Sequence, residues 1–190
     1  MEKKSAGKPI LGEWNTRTAA AVAVGAVLFG VLKVWGSIPD LYFTAAMLVP
    51  IVAGALLGAL PAGVSMFLGN CLADLIGGAG FGFDWSVGYG ILGFCVGLLP
   101  LYGARIREGV FTMRQALVYA IVAVLANFVA FGLITPMMSS VFYFTDLEIA
   151  SLQSLALGAS NSAVLIVAGI PLLFLLARRG AGRGNPAGEE

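Results

Sequence analysis

The chain contains no histidine. A Ser–His or Cys–His nucleophile pair is therefore excluded, and so is a histidine-based metal site. Cysteine is nearly as scarce. Cys71 and Cys95 both fall inside apolar sequence, lack zinc-type spacing and read as small packing residues. There is no Gly-x-x-x-x-Gly-Lys-Ser/Thr loop, so the chain cannot drive transport with ATP by itself. No basic patch interleaved with aromatics points to nucleic acid. Asp74 and Asp84 could form a carboxylate pair, but neither has a nucleophile or a metal-binding spacing partner nearby. The expectation is a protein without catalytic residues, metal or cofactor. Charge is sparse as well: 11% of residues are Asp, Glu, Lys or Arg, against about 25% in soluble domains.

What is present is apolar. Hydrophobic residues make up 59% of the 190, and the mean hydropathy is +0.93. A soluble domain of this size could not bury so much apolar surface, which predicts an all-α integral membrane protein. The few charges are ordered. Ten of the 11 Lys and Arg residues fall in three clusters: Lys3, Lys4, Lys8 and Arg17; Arg105, Arg107 and Arg114; Arg178, Arg179 and Arg183. Only Lys33 lies elsewhere. Basic residues stay on the cytoplasmic side, so an even number of crossings must separate each pair of clusters. A span needs about 20 apolar residues. Candidates run over 16–35, 44–60, from a break at Pro61-Ala62-Gly63 to Ile76, 85–103, 115–138 and 151–177. The first is too long for the apolar core of a signal peptide. Six spans follow, with both termini cytoplasmic. The chain divides into an N-terminal segment (1–15), a six-helix membrane domain (16–177) and an unstructured cytoplasmic tail (178–190). The outer loops would then hold Asp40, Asp84, Asp146 and Glu148.

Small residues recur four apart: Ala19/Ala23, Ala21/Gly25 and Ala26/Gly30 in the first span, Gly54/Gly58 in the second, Gly93/Gly97 in the fourth. In lipid such spacing lets helix backbones approach. It serves either packing within the bundle or docking of another membrane subunit. Pro50, Pro100, Pro136 and Pro171 lie within spans and each can kink its helix. The end of the fifth span, Pro136 to Ser140, is expected to be irregular.

Polar residues at membrane depth are few: Lys33, Asn70, Asp74, Tyr89, Asn127, Gln153, Ser160, Asn161 and Ser162. Asn70 and Asp74 share a helix face at i, i+4. Lys33 can snorkel to the outer interface or pair with Asp74. Each amide alone reads as an interhelical hydrogen-bonding group. Together, those on the third, fifth and sixth spans could converge on a cavity that opens outward. Trp85 and Tyr89, also i, i+4, read either as an interfacial aromatic belt or as a stacking wall for a flat ligand, with Gly80 and Gly82 letting a loop close over it.

Several segments together resemble a known family. They are Gly54-Ala-Leu-Leu-Gly-Ala-Leu-Pro-Ala-Gly63, Leu68-Gly-Asn-Cys-Leu-Ala-Asp74, Trp85-Ser86 and Gly90-Ile-Leu-Gly-Phe-Cys-Val-Gly-Leu98. In this order and spacing the chain resembles the substrate-binding S components of energy-coupling factor (ECF) vitamin transporters, most closely over 50–100. The resemblance implies a membrane-embedded subunit of the cell membrane that captures a riboflavin- or cobalamin/tetrapyrrole-like vitamin. Any bound vitamin would be the transported substrate. Its partners would be a transmembrane coupling subunit and two ATPase subunits. Ala19 and Ala23 match the family's docking motif on the first helix, with Ala21/Gly25 and Ala26/Gly30 competing for the role. The family's pocket would involve Pro39–Phe43, Trp85, Tyr89, Asn127, Gln153 and Asn161, and Asn70 and Asp74 match its motif. One departure is Asp84, where the related pattern often has a second Trp. Two other readings stand beside this one. A stand-alone secondary carrier for a small organic solute would use Asp74 as its coupling carboxylate. A structural membrane subunit would bind no small molecule.

Overall fold

The computed structural model describes residues 10–38, 43–78 and 80–184. Lys3, Lys4, Lys8 and Asp40, and residues 39–42 of the expected first outer loop, lie outside them. Among the described residues eight α-helices run in chain order: α1 Thr16–Trp35, α2 Leu48–Leu57, α3 Ala59–Gly77, α4 Phe83–Val96, α5 Met113–Asn127, α6 Thr135–Tyr143, α7 Leu147–Val167 and α8 Gly169–Gly184. A two-residue hairpin, β1 Ser37–Ile38 with β2 Phe43–Thr44, follows α1. Several helices join end to end. A π-helical stretch, Phe128–Ile134, links α5 to α6, and α7 passes into α8 at Ala168. Five helical stretches among the described residues are long and apolar enough to cross a membrane: Thr16–Trp35, Ala59–Gly77, Phe83–Tyr102, Met113–Tyr143 and Leu147–Gly182. Ala45–Leu57 is a sixth, shorter apolar helix.

The helices begin where their sequences allow. Asn15 caps α1 by accepting the Thr18 N–H at 2.9 Å, and Asp146 caps α7 through Glu148 and Ile149. Thr112 and Gln115 form a reciprocal capping box on α5. The prolines mark starts as well. Pro50, Pro61, Pro136 and Pro171 each fall in the first turn of a helix, and Pro100 opens a 3-10 turn. There the missing N–H costs nothing.

Two boundaries differ from the sequence reading for this reason. The break between the second and third spans is not Pro61-Ala62-Gly63 but Gly58, whose φ of 105° and ψ of 179° suit only glycine. A proline in a first turn starts a helix rather than ending one. Around Pro136 the irregular stretch lies before the proline, not after it. Proline removes its own N–H and crowds the carbonyl four residues back, so the preceding turn widens, and Thr135 N–H bonds to Ala130 C=O. The chain after Pro136 is regular helix to Tyr143. At the C-terminal side α8 continues to Gly184, past Ala177, where the sixth span is expected to end.

Burial is inverted relative to a water-soluble protein. Between the two ends the exposed side chains are apolar, including Val24, Leu125, Leu152 and Leu175. Ser65, Asn70, Ser86, Asn127, Thr135, Ser154 and Asn161 are buried. This is the arrangement that lipid selects. Phe29, Met66, Tyr89, Leu92 and Phe131 form the centre of the core.

Small residues set the closest approaches. Gly54 and Gly97 face each other so tightly that a Cβ on Gly54 would lie 2.7 Å from the Gly97 Cα. Gly30 packs on the Gly69 carbonyl, and Gly69 on Phe29 and the Ala26 carbonyl. Gly54 and the Gly93/Gly97 and Ala26/Gly30 pairs thus serve packing within the bundle, Gly58 instead meets Gly12 of the N-terminal segment, and Ala19 and Ala23 stay exposed.

Charge separates by end. Arg17, Arg105 and Arg107 line one cavity, and α8 packs its Gly180 against the Ile106 and Arg107 carbonyls just beyond Arg178 and Arg179. Asp74, Asp84, Asp146 and Glu148 belong to the opposite end, together with Lys33.

Candidate functional site

The acidic end holds a cavity of about 490 Å³ between the C-terminal ends of α1 and α3, the start of α4, the end of α6 and the start of α7. A polar network built on α3 forms its floor. The Lys33 ammonium donates to Asn70 Oδ1 and lies 3.9 Å from Asp74 Oδ1. It also sits 4.6 Å from the centre of the Tyr89 ring, a cation–π contact. Asn70 Nδ2 donates to Asp74 Oδ2 at 3.1 Å and to Ser86 Oγ at 3.0 Å. Gly82 N–H donates to Asp74 Oδ2 at 3.1 Å, while Ser86 Oγ donates to the Gly82 carbonyl at 3.0 Å. The i, i+4 spacing of Asn70 and Asp74 thus clamps the turn leading into α4 onto the end of α3. Asp74 is left with every oxygen engaged.

A second set of contacts ties the end of α6 to the start of α4. Ser139 Oγ donates to Asp84 Oδ2, and Phe83 N–H donates to the Tyr143 hydroxyl at 3.0 Å. Asp84 is thus not the solvated loop acid expected from its place between spans. It is the second residue of α4 and 2% exposed.

The candidate site residues divide between two depths. Asp74, Trp85 and Gln153 line the cavity, joined by Lys33, Asp84, Ser139 and Tyr143. Asn70 is buried just beneath them, committed to the network. Tyr89 lies deeper, 1% exposed, edge-on to Phe29 and to Phe131 at 5.0 Å. Trp85 lies 6.1 Å from the same Phe131 ring. Asn127 and Asn161 do not line the cavity but lie buried on α5 and α7. Asn127 Nδ2 donates to the Ala123 carbonyl.

This inner layer is polar and under-bonded. Asn127 Oδ1 and Thr135 Oγ1 have no hydrogen-bond partner, and the Tyr89 hydroxyl and the Asn161 amide have only each other within reach. Buried polar atoms are normally paired, so their concentration under the cavity sets this region apart. Aromatics exposed around the same end, Trp35, Phe43, Phe81, Phe142 and Phe144, fit the headgroup level. Trp85 is instead turned inward.

Lys33 and its contact with Asp74 are legible in the sequence as one of two options. Asp84 is legible there only as a possible carboxylate partner of Asp74, assigned to a loop rather than to a buried helix start, and Ser139 and Tyr143 carry no signal.

A larger cavity of about 700 Å³ lies at the basic end, bordered by Arg17, Arg105 and Arg107 with Glu13 and Glu108. None of its lining side chains carries a buried unpaired polar atom. Arg105 and Glu108 pair there at 2.8 Å while remaining largely exposed. No cluster of three or more metal-ligating side chains occurs among the described residues.

A UPF0397 protein of Streptococcus pneumoniae (strain Hungary19A-6) is 28% identical over 172 residues, spanning 87% of this chain and 92% of its own length. UPF0397 protein spr0429 of strain ATCC BAA-255 / R6 is 27% identical over the same span. No solved structure matches. The family described as "ECF-type riboflavin transporter, S component" matches residues 13–178, nearly the whole membrane part, and the chain belongs to that family of substrate-binding membrane subunits.

Proposed function

We propose that this chain captures a vitamin or related micronutrient in the acidic-end cavity and delivers it to partner subunits that hydrolyse ATP. The observation that carries the proposal is the cavity itself. Its volume is within the range of about 300–1,000 Å³ typical of small-ligand sites. One indole forms part of its wall, and under-bonded polar groups lie beneath. A flavin-sized molecule suits this volume better than a tetrapyrrole, which would protrude at the mouth. Trp85 supplies the stacking surface, Asp74 and Gln153 the polar rim, and Asn70 holds Asp74 and Lys33 in place. Tyr89, Asn127 and Asn161 form the inner layer that a deeper-seated ligand would satisfy.

Six spans with both termini cytoplasmic complete this reading, with Ala45–Leu57 as the short second span. The basic end then faces the cytoplasm and the cavity faces outward, as import requires. The exposed Ala19 and Ala23 fit the docking face for a transmembrane coupling subunit, whereas Ala21 and Gly25 are half-buried and Gly25 packs near Ser65. Asp74 counts against a proton-coupled carrier, because its carboxylate is already bonded by Lys33, Asn70 and Gly82.

The test is mass spectrometry of small molecules released from detergent-purified protein, after its visible spectrum is recorded. A stoichiometric vitamin is the expected result. Protein that is empty, and that fails to co-purify a co-expressed coupling subunit, would overturn the reading.

A further inference from the structure

Two carboxylates face the acidic-end cavity, and their situations differ. Asp74 accepts hydrogen bonds from Gly82 N–H and Asn70 Nδ2, both at 3.1 Å, and has the Lys33 ammonium at 3.9 Å. Asp84 has only the Ser139 hydroxyl, on Oδ2. Its Oδ1 has no partner, although the residue is 98% buried.

The position of Gly82 shows where that oxygen points. A Cβ built there would lie 3.3 Å from Asp84 Oδ1, 3.3 Å from the edge of the Trp85 indole and 3.6 Å from Asp74 Oδ2. Both carboxylates and the indole edge thus converge on one small volume that the absence of a side chain leaves open. Of the charged groups lining the cavity, Lys33 is positive and Asp74 and Asp84 are negative, so one negative charge is unmatched. An acceptor-only oxygen, buried and unpaired, calls for a donor. The unmatched charge calls for that donor to be cationic.

We propose that the ligand carries a cationic nitrogen with an N–H, which donates to Asp84 Oδ1 while an adjoining flat ring lies against Trp85. The proposal rests on the reading of this cavity as the substrate site, and narrows it. Within a family described by riboflavin, which is uncharged, this chain selects a basic, ring-bearing compound. Asp84 reads charge, Ser139 holds its other oxygen, and Gly82 keeps the seat empty.

The experiment uses the full-length protein in detergent as wild type, Asp84→Asn and Gly82→Ala. Each is incubated with an equimolar mixture of pyridoxamine, thiamine, pyridoxine, riboflavin and biotin, then washed, and the retained compounds are quantified by mass spectrometry. Melting curves and size-exclusion profiles check folding. Gly82 has φ −99°, which alanine also adopts, so Gly82→Ala keeps the backbone while placing a methyl at the seat. The wild type is expected to retain pyridoxamine and neither pyridoxine nor thiamine, whose cationic thiazolium nitrogen is quaternary and has no N–H to donate. Both variants should lose at least ten-fold of that retention. Retention of thiamine, or of a neutral or anionic compound, in place of pyridoxamine by the wild type, or of pyridoxamine equally by folded variants, would overturn the proposal and leave the binding reading standing. Retention of none of the five by the wild type would overturn the assignment of the cavity as the substrate site, and the proposal with it.

Discussion

Lys33 shows what one charge does in a chain that has so few. Its ammonium touches Asn70, Asp74 and the Tyr89 ring at once, so removing it leaves the Asp74 carboxylate without its counter-charge. Breaking a fully buried pair costs about 3–5 kcal/mol. The Lys33 and Asp74 side chains are 24% and 14% exposed at the cavity mouth, which reduces this to about 1–3 kcal/mol. Lys33→Met and Asp74→Asn should therefore each lower the melting temperature in detergent. The double variant should lose less than the sum, by a coupling of about 1 kcal/mol. Additive losses would mean that the two side chains act separately. The i, i+4 pair Asn70/Asp74 is visible in sequence because helical periodicity alone sets it, whereas the Lys33 pairing stands there only as an option beside snorkelling, because it joins two helices. Asp84 was hidden because its burial depends on Ser139, 55 residues later, folding back over the start of α4.

Helices and their joints carry the next level of argument. Gly54→Ala would put a methyl 2.7 Å from the Gly97 Cα, and Gly97→Ala one 2.5 Å from the Ala59 Cα. Backbone cannot move aside as a side chain can, so each change should destabilise by about 1–3 kcal/mol. Gly182→Ala meets nothing within 4 Å and should be neutral or slightly stabilising. Thermal melts of the three variants separate packing from helix propensity. Small-residue spacing alone could not sort these pairs, because it marks contact and docking faces alike.

The π-helical turn before Pro136 is a second element-scale feature. It adds a residue to the turn. Deleting Val129 should convert this turn to ordinary α-helix and leave α6 in its rotation, whereas inserting a further alanine after Val129 should turn the helix after it by about 100°, swinging Ser139 and Tyr143 away from Asp84 and Phe83. With the insertion, ligand retention should fall sharply while the circular-dichroism helix signal stays within a few per cent. Unchanged binding would show that α6 does not shape the site. In sequence the proline is plain, but the side on which its distortion falls follows from the clash with the preceding carbonyl rather than from any local motif.

At the scale of the whole molecule, the sorting of charge and of small residues supports the proposed orientation and the proposed partner face. Ala19 and Ala23 stand on the lipid-facing side of α1, and the bundle does not use them. Ala19→Leu with Ala23→Leu should leave melting and ligand retention unchanged while abolishing co-purification of a co-expressed coupling subunit. Loss of folding would instead make that face part of the bundle. Orientation rests on the basic end, where Arg17, Arg105 and Arg107 gather. Six crossings require that end to be cytoplasmic at all three basic clusters, and this depends on Ala45–Leu57 crossing. At 1.5 Å per residue that helix is about 20 Å long, short of the roughly 30 Å hydrocarbon core. The turn at Gly58 and the loop following the hairpin must therefore reach into the headgroup region, or the bilayer must thin around them. Cysteine accessibility decides it. With Cys71 and Cys95 replaced by serine, an Asp146→Cys variant should react with a membrane-impermeant maleimide in intact cells. An Arg107→Cys variant should react only after permeabilisation. The reverse pattern, Arg107→Cys labelled from outside and Asp146→Cys only after permeabilisation, would make Ala45–Leu57 a re-entrant segment and the span count odd. The arginine clusters would then stand on opposite faces, against the rule that orients the rest of the chain.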